Sequence, residues 1–433
     1  MRKIISIFTV FLIVSILSTS CSSIGIGKKD KKNITVKMLT NSETRSADLI
    51  KHLKEKFPHI NIEVTAFETI WQEEQTPIEK RIERASEIIA EEKPDFYYDL
   101  KPSWYDKDVL LVDLAQLINR DQIPLNEIQQ HIIESETNID GTLNSITPTF
   151  DRKVLFVNRE LFQKNGIPVP VTPMTFEDFR NSAQLLKEKN SSLFGYDIQR
   201  HSWYFALEEI GKTFQGLQIV SDSGQLMLDQ PDWRDLTQQL LDDYKNKILR
   251  AEPLSPNKTE IKHIGMSIGN ASELYSYLSV NATTDTLSIL DLPTNPSNPI
   301  INPFIPTSPF SITQSSKYVD EIWEVLTYLM TKEAAVEITN KRLLAGFVAY
   351  PGLAPIGDFK IESFAGKETG SKITPSFNLA SSAWRKMHIT VDELFNAYIN
   401  NKKDMDEVLD AIAVVVQEIN NDSSNFIAVK SDH

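Results

Sequence analysis

The segment 147-TPTFDRKVLFVNRELFQKNGIPVP-170 decides the fold of this chain. Val154 to Val157 is a short apolar run between charged residues and reads as a buried strand. Arg159 to Asn165 carries Leu161 and Phe162 at helical spacing, and Gly166 ends that turn as a C-terminal cap. Pro168 and Pro170 hold the exit extended, because the residue before a proline avoids the helical region. Thr175 then caps a new helix, with Asp178 three residues later. Strand, short helix, proline elbow and capped helix, in that order, suit a second α/β lobe that starts just after a crossing from a first.

The length of 433 residues exceeds what one hydrophobic core usually serves, so two lobes are expected. With 41% hydrophobic and 24% charged residues, the composition is that of a soluble globular chain. The net charge is −14, and it becomes −16 without residues 1–20, which hold Arg2 and Lys3. So acidic a surface is a poor match for nucleic acid, whose phosphates call for Lys and Arg. The N-terminus has a basic start at Met1-Arg2-Lys3, an apolar stretch from Ile4 to Leu17 and small residues before Cys21. That pattern reads as a secretory leader over 1–20, too short to be taken for a membrane-spanning helix. Cys21 is the only cysteine, so no disulfide can form within one chain. Ser22 to Lys32, with two glycines and four lysines, reads as a flexible tether.

Upstream of the deciding segment, Asn33 to Leu39 alternates as a first strand and ends at the polar turn Thr40 to Glu43. Ser46 to Phe57 is an amphipathic helix closed by Pro58, Ile60 to Phe67 a second strand, Ile78 to Glu92 a helix and Pro94 to Tyr98 a strand. Alternation along that strand puts Tyr97 and Tyr98 on opposite faces, so one of the two is expected in the core. Downstream, Phe194-Gly195-Tyr196 reads as a strand and Pro231 to Tyr244 as a helix with proline in its first turn. Trp323, Leu326, Leu329 and Met330 form the inward face of a further helix.

The stretch VLFVNRELFQKNGIPVPVTPMTFEDF resembles the "vlYYNkdlFekaGipvPkTwdEf" segment of family 1 extracellular solute-binding proteins, the sugar-binding lipoproteins of ABC importers, with Phe156-Val157-Asn158 standing for Tyr-Tyr-Asn. The likeness extends, more weakly, over about residues 34 to 420. Pro94-Asp95-Phe96-Tyr97-Tyr98 is similar to the family's "PDvvy" strand, Gly265 to Ile268 to its "aAM" segment, Ser288 to Pro293 to "v.plP", Gly346 to Pro355 to "G..Pa", and Asn378 to Trp384 to the segment that opens the last long helices. The resemblance implies an α/β, two-lobed periplasmic-binding-protein-like fold, each lobe a mixed sheet flanked by helices, with the ligand cleft between them. One lobe would be 34–148 plus about 309–365, and the other 149–308 plus about 366–433. Cys21 after small residues resembles a bacterial lipobox, with Leu17 one position earlier than the common pattern. Lipidation there would tether residues 21–33 to the outer face of the cell membrane. The resemblance implies a small carbohydrate ligand and ABC permease subunits as partners, for a monomer that needs no cofactor.

Sugar sites combine an aromatic platform with planar polar side chains. Trp384 matches the cleft tryptophan of the "SAFWYAV"-type segment in maltose-binding relatives, and Asp151 stands seven residues before Asn158, as a cleft glutamate does there. Asp99, at the end of the "PD" strand, occupies a cleft position or caps a helix, and Thr40 and Asn41 end the first strand at the N-terminus of the following helix, from where they would donate or accept. Trp104 and Trp203 fall at element ends, where each offers a platform or packs between helix and sheet; Trp233 and Trp323 read as core. Asn270 and Ser272 lie where relatives carry "NGPW", so Ser272 replaces one stacking ring, and the first-strand turn also lacks the aromatic of many relatives. Both departures count against a maltodextrin-like ligand. Arg200 would suit an acidic sugar or carboxylate instead.

Two other readings stay open. A non-sugar ligand, or a sensory role feeding a membrane kinase, would leave the same sequence. Gly265-Met266-Ser267-Ile268-Gly269 satisfies G-x-S-x-G, so a secreted esterase using Ser267 and His388 is the rival from another class; the bland reading is a tight turn into a helix. The seven histidines form no pair at metal-ligand spacing.

Overall fold

The computed structural model describes residues 32–72, 78–106, 108–138, 140–198, 202–250, 261–272, 283, 285–297, 304–354, 359–365 and 377–428. In chain order the elements are β1 (Ile34–Thr40), α1 (Glu43–Lys56), β2 (Ile60–Ala66), α2 (Glu68–Gln72), α3 (Ile78–Glu92), β3 (Phe96–Tyr98), α4 (Leu114–Asp121) and α5 (Glu127–Glu136). The deciding segment then gives β4 (Thr149–Asp151), β5 (Lys153–Asn158) and α6 (Arg159–Lys164), followed by α7 (Phe176–Lys189), β6 (Phe194–Ile198), α8 (Trp203–Gln215), α9 (Pro231–Lys245) and β7 (Leu249–Arg250). There follow β8 (Ile264–Asn270), β9 (Leu287–Leu290), β10 (Ile305–Pro306), β11 (Phe310–Ile312), α10 (Val319–Leu329), α11 (Lys332–Lys341) and β12 (Phe347–Val348). The chain closes with α12 (Ile361–Ala365), β13 (Phe377–Leu379), α13 (Ser381–Ile399), α14 (Met405–Asn420) and β14 (Phe426–Ala428).

Local chemistry sets these boundaries. Ser42 accepts from the Arg45 N–H, so α1 starts three residues before the apolar periodicity does. Asn158 caps α6, and Thr175 with Asp178 forms a full capping box on α7. Gly166 supplies the left-handed turn, at φ 67°, that carries the chain out of α6.

One sheet has the order β11-β3-β1-β2, with β1, β2 and β3 parallel and β11 antiparallel. A second has the order β7-β6-β8-β5-β9. A small third sheet, β10-β4-β12, is built from the segments through which the chain passes between the other two. Helices cover both faces of the first sheet, which corrects the expectation for the tyrosine pair. Tyr97 faces Leu39 and Phe67, Tyr98 stacks on Phe310 at 4.8 Å, and both are buried. Burial pushes both phenols up to about 12.

In the second core, Arg180 grips Asp243 through two hydrogen bonds of 2.8 and 2.7 Å, and the Tyr196 hydroxyl donates to the same carboxylate at 2.8 Å. Trp233 and Trp323 are core residues, their indoles donating to the Gln218 carbonyl and to Asp121. Trp203 takes the packed one of its two sequence readings. It is only 1% exposed, edge-on to Tyr244 at 5.1 Å and 5.6 Å from Phe395, so the start of α8 points its indole inward. No described helix is long and apolar enough to cross a membrane.

Candidate functional site

Parallel strands collect their carboxyl ends on one edge, where loops and helix starts are free to meet a ligand. In the first sheet that edge holds Thr40, Asn41 and Asp99. The Asn41 amide donates to the Asp99 carbonyl, and the Asp99 N–H donates to the Pro309 carbonyl at 2.9 Å. Asp99 sits in the left-handed region at φ 56°, and burial raises its carboxyl pKa while Arg45 pulls it back. Thr40 is 1% exposed, and its hydroxyl has no hydrogen-bond partner among the described residues. The three residues expected at this edge are thus neighbours.

In the second sheet β6 and β8 run parallel and β5 opposes β8, which places Ile198, Asn270 and Lys153 on a common edge, with Lys153 opposite Asn270. Lys153 pairs with Glu209 of α8 at 2.6 Å. The Asn270 side-chain oxygen has no partner among the described residues. Asp151 and Ser272, named separately from sequence, are brought into contact. One Asp151 oxygen accepts from the N–H groups of Arg152 at 2.8 Å and Ser272 at 3.1 Å, and the other accepts from the Ser272 hydroxyl. Asp151 is 4% exposed, and its carboxylate is hydrogen-bonded within its own chain. Burial raises its pKa, and these hydrogen bonds partly offset the rise.

Trp384 stands in the first turn of α13, half-buried, with Tyr204, Phe205 and His388 at ring distances of 6.0, 5.6 and 5.0 Å. Phe205 is 42% exposed, which leaves an aromatic surface beside the edge where β6 gives way to α8. The Tyr204 hydroxyl has no partner among the described residues, and burial drives its pKa upward. His388 lies 3.5 Å from Asp392, which also accepts the Tyr204 N–H at 3.0 Å. Tyr204, Phe205 and His388 were not singled out as ligand groups from sequence. Their signal was present in the W-Y-F run at 203–205 and the i, i+4 spacing of Trp384 and His388, but only the packing of α8 on α13 joins them.

Cys21 and Arg200 lie outside the described residues, as does the side chain of Trp104. The G-x-S-x-G pattern is neither an elbow nor a tight turn. Ser267 is buried in mid-strand in β8, hydrogen-bonded along both sides to β5 and β6. Gly265 there makes room for Leu186 and Phe162, a packing role. Among the described residues no group of three or more His, Cys, Asp or Glu side chains is placed to hold a metal ion.

Both edges adjoin the small third sheet: Lys153 follows Asp151 of β4 by two residues, and Phe310 follows Pro306 of β10 by four. A sequence profile of the bacterial extracellular solute-binding proteins matches residues 42–336. The chain belongs to this family. As a solute-binding protein it is two-lobed. Similar solved structures include a sugar transporter from Rhizobium etli in an open conformation, at 15% identity over 89% of this chain and 99% of that one, with a TM-score of 0.61. Another is the sugar-binding protein MalE of Xanthomonas citri, at 12% identity over 90% and 98%, with a TM-score of 0.61. A third is an ABC transporter solute-binding protein from Agrobacterium vitis S4 with bound D-mannitol, at 15% identity over 90% and 99%, with a TM-score of 0.55. No curated protein matches the chain.

Proposed function

We propose that this solute-binding protein is the lipid-anchored receptor of an ABC importer, capturing a small, uncharged, polyhydroxylated solute, most simply an oligosaccharide, by closing two lobes around it. The observation that carries this reading is a set of uncharged polar groups, at the two sheet edges and in the first turn of α8, that have no partner among the described residues. The Thr40 hydroxyl, the Asn270 amide oxygen and the Tyr204 hydroxyl are withdrawn from water without a partner among the described residues, and Tyr204 lies against the Trp384–Phe205 surface. A buried polar group is costly until something completes its hydrogen bonds. Solute hydroxyls would complete them, while the apolar face of a pyranose would lie on the aromatic surface.

Residues 34–148 with about 309–365 would form one lobe and 149–308 with about 366–433 the other, the third sheet serving as hinge. Anchoring through Cys21 would hold the protein beside its permease. The strand placement of Ser267 argues against an esterase, whose nucleophile must stand on a sharp turn.

A thermal-shift screen of the chain from Ser22 onward against sugars, oligosaccharides, polyols, uronic acids and peptides tests the reading. A solute at 100 times its Kd adds about 2.7 kcal/mol, a shift of a few degrees. A saturable shift that is lost in Trp384→Ala supports the assignment. Silence toward every carbohydrate and polyol, with hydrolysis of a model ester, would overturn it.

A further inference from the structure

Arg152, between β4 and β5, is 2% exposed although it carries a permanent charge. A guanidinium is held in such a place only when its donors and its charge are answered locally. The answers come from separate connections between the lobes. Arg152 itself belongs to the first, where the chain leaves β4 for β5. Its Nη2 lies 3.6 Å from Asp291, just past β9, and its guanidinium lies over the Phe304 ring at 5.8 Å, just ahead of β10; these residues flank the second connection. Its Nη1 donates to the carbonyl of Ala365, the last residue of α12, beyond which the chain passes to β13 in the other core. The carboxylate that fastens Ser272 also accepts the Arg152 N–H, so the latched arginine and the ligand edge share Asp151.

We infer that Arg152 is the positioning residue of the interlobe hinge, a latch that holds all three connections in one arrangement and so sets the balance between open and closed lobes. The inference rests on the solute-binding reading above, for which lobe movement is the working step. It assigns no contact with solute to Arg152. A backbone carbonyl, a carboxylate and a ring offered from different connections match the fixed fork of a guanidinium; an ammonium is a single compact charge and cannot engage all three at once.

The test is a distance measurement without solute. Probes are attached at Glu55→Cys on α1 and Lys189→Cys on α7 in the full chain carrying Cys21→Ser, and the interlobe distance distribution is recorded. The native hinge should give one narrow distribution. Arg152→Met should broaden it and change the ratio of open to closed populations by about tenfold, as expected for loss of a charge-assisted hydrogen bond. Arg152→Lys should restore part of the native distribution, and Asp291→Asn should shift it in the same direction as Arg152→Met, but less. An unchanged distribution in Arg152→Met and Asp291→Asn would overturn the inference, even with a lowered melting temperature, because that is what simple core packing predicts. If Arg152→Met does not fold, Asp291→Asn and Phe304→Leu decide by the same readout. Silence of the wild-type chain toward every carbohydrate and polyol, with hydrolysis of a model ester, would instead overturn the solute-binding reading and leave the distance result standing.

Discussion

Replacing Asp151 tests how the site is held together. The carboxylate accepts from two backbone N–H groups, at 2.8 and 3.1 Å, and from the Ser272 hydroxyl, in a position only 4% exposed. Asp151→Ala leaves these donors without an acceptor, at about 1–3 kcal/mol for each one that water cannot reach. Removing the buried charge returns part of that cost, since burial already disfavours the ionised form. The expected net loss is about 2–4 kcal/mol, against about 1 kcal/mol for Asp151→Asn, which keeps one acceptor oxygen. Urea unfolding followed by two probes would measure it, with both lobes reported separately.

The pH dependence gives an independent check. The folded pKa is raised, so the stability contributed by Asp151 is fully present below its unfolded value near 3.9 and is lost as pH rises through the folded value. The stability difference between wild type and Asp151→Asn should therefore shift against wild type as pH rises from about 4 to 7. A difference that moves toward wild type would show that the hydrogen bonds outweigh burial, and would refute the reasoning. Unchanged stability in Asp151→Ala, with abolished solute binding, would make Asp151 a ligand group after all.

Three further outcomes follow from the same geometry. Trp384→Ala should weaken binding of a solute found in the screen by about tenfold, read by titration calorimetry, without changing the circular dichroism spectrum. Ser267→Ala should leave solute affinity and fold intact, since Ser267 stands in mid-strand; loss of an ester-hydrolysing activity would reverse that conclusion. Gly195→Ala should cost about 1–3 kcal/mol in denaturant unfolding, because an added Cβ would lie 2.5 Å from the Ala183 carbonyl oxygen where α7 packs on β6. A neutral result there would mean that α7 can move away from the sheet.

Much of the fold is legible in sequence because it is encoded locally. The Thr175–Asp178 box, the Gly166 exit and the Pro231 start each state a helix boundary within four residues. The places where reading failed are those where a distant element decides. Tyr97 is core because helices close the second face of the sheet, which alternation along β3 cannot report. The G-x-S-x-G pattern has the spacing of an elbow, yet Ser267 is straightened by strands that arrive from 156 and 197. The sequence leaves Trp203 open between platform and packing, and Tyr244 and Phe395 decide for packing.

The site divides in the same way. Thr40, Asn41 and Asp99 could be placed on one edge from sequence because each lies at or just past the end of a strand, and parallel strands must bring their ends to one edge. Phe205 and His388 lie 183 residues apart and meet only because α8 packs on α13. Arg152 and its contacts with Asp291, Phe304 and Ala365 join residues more than 130 positions apart. The sequence by itself determined strands and caps, which depend on neighbours within a few residues, the net acidity, which is a sum over the chain, and the two-lobed class, which followed from length and family resemblance. Only the tertiary structure decided which buried polar groups remain unpartnered and which charge ties the connections together, because satisfaction of a buried group depends on whatever the rest of the chain brings within about 3 Å of it.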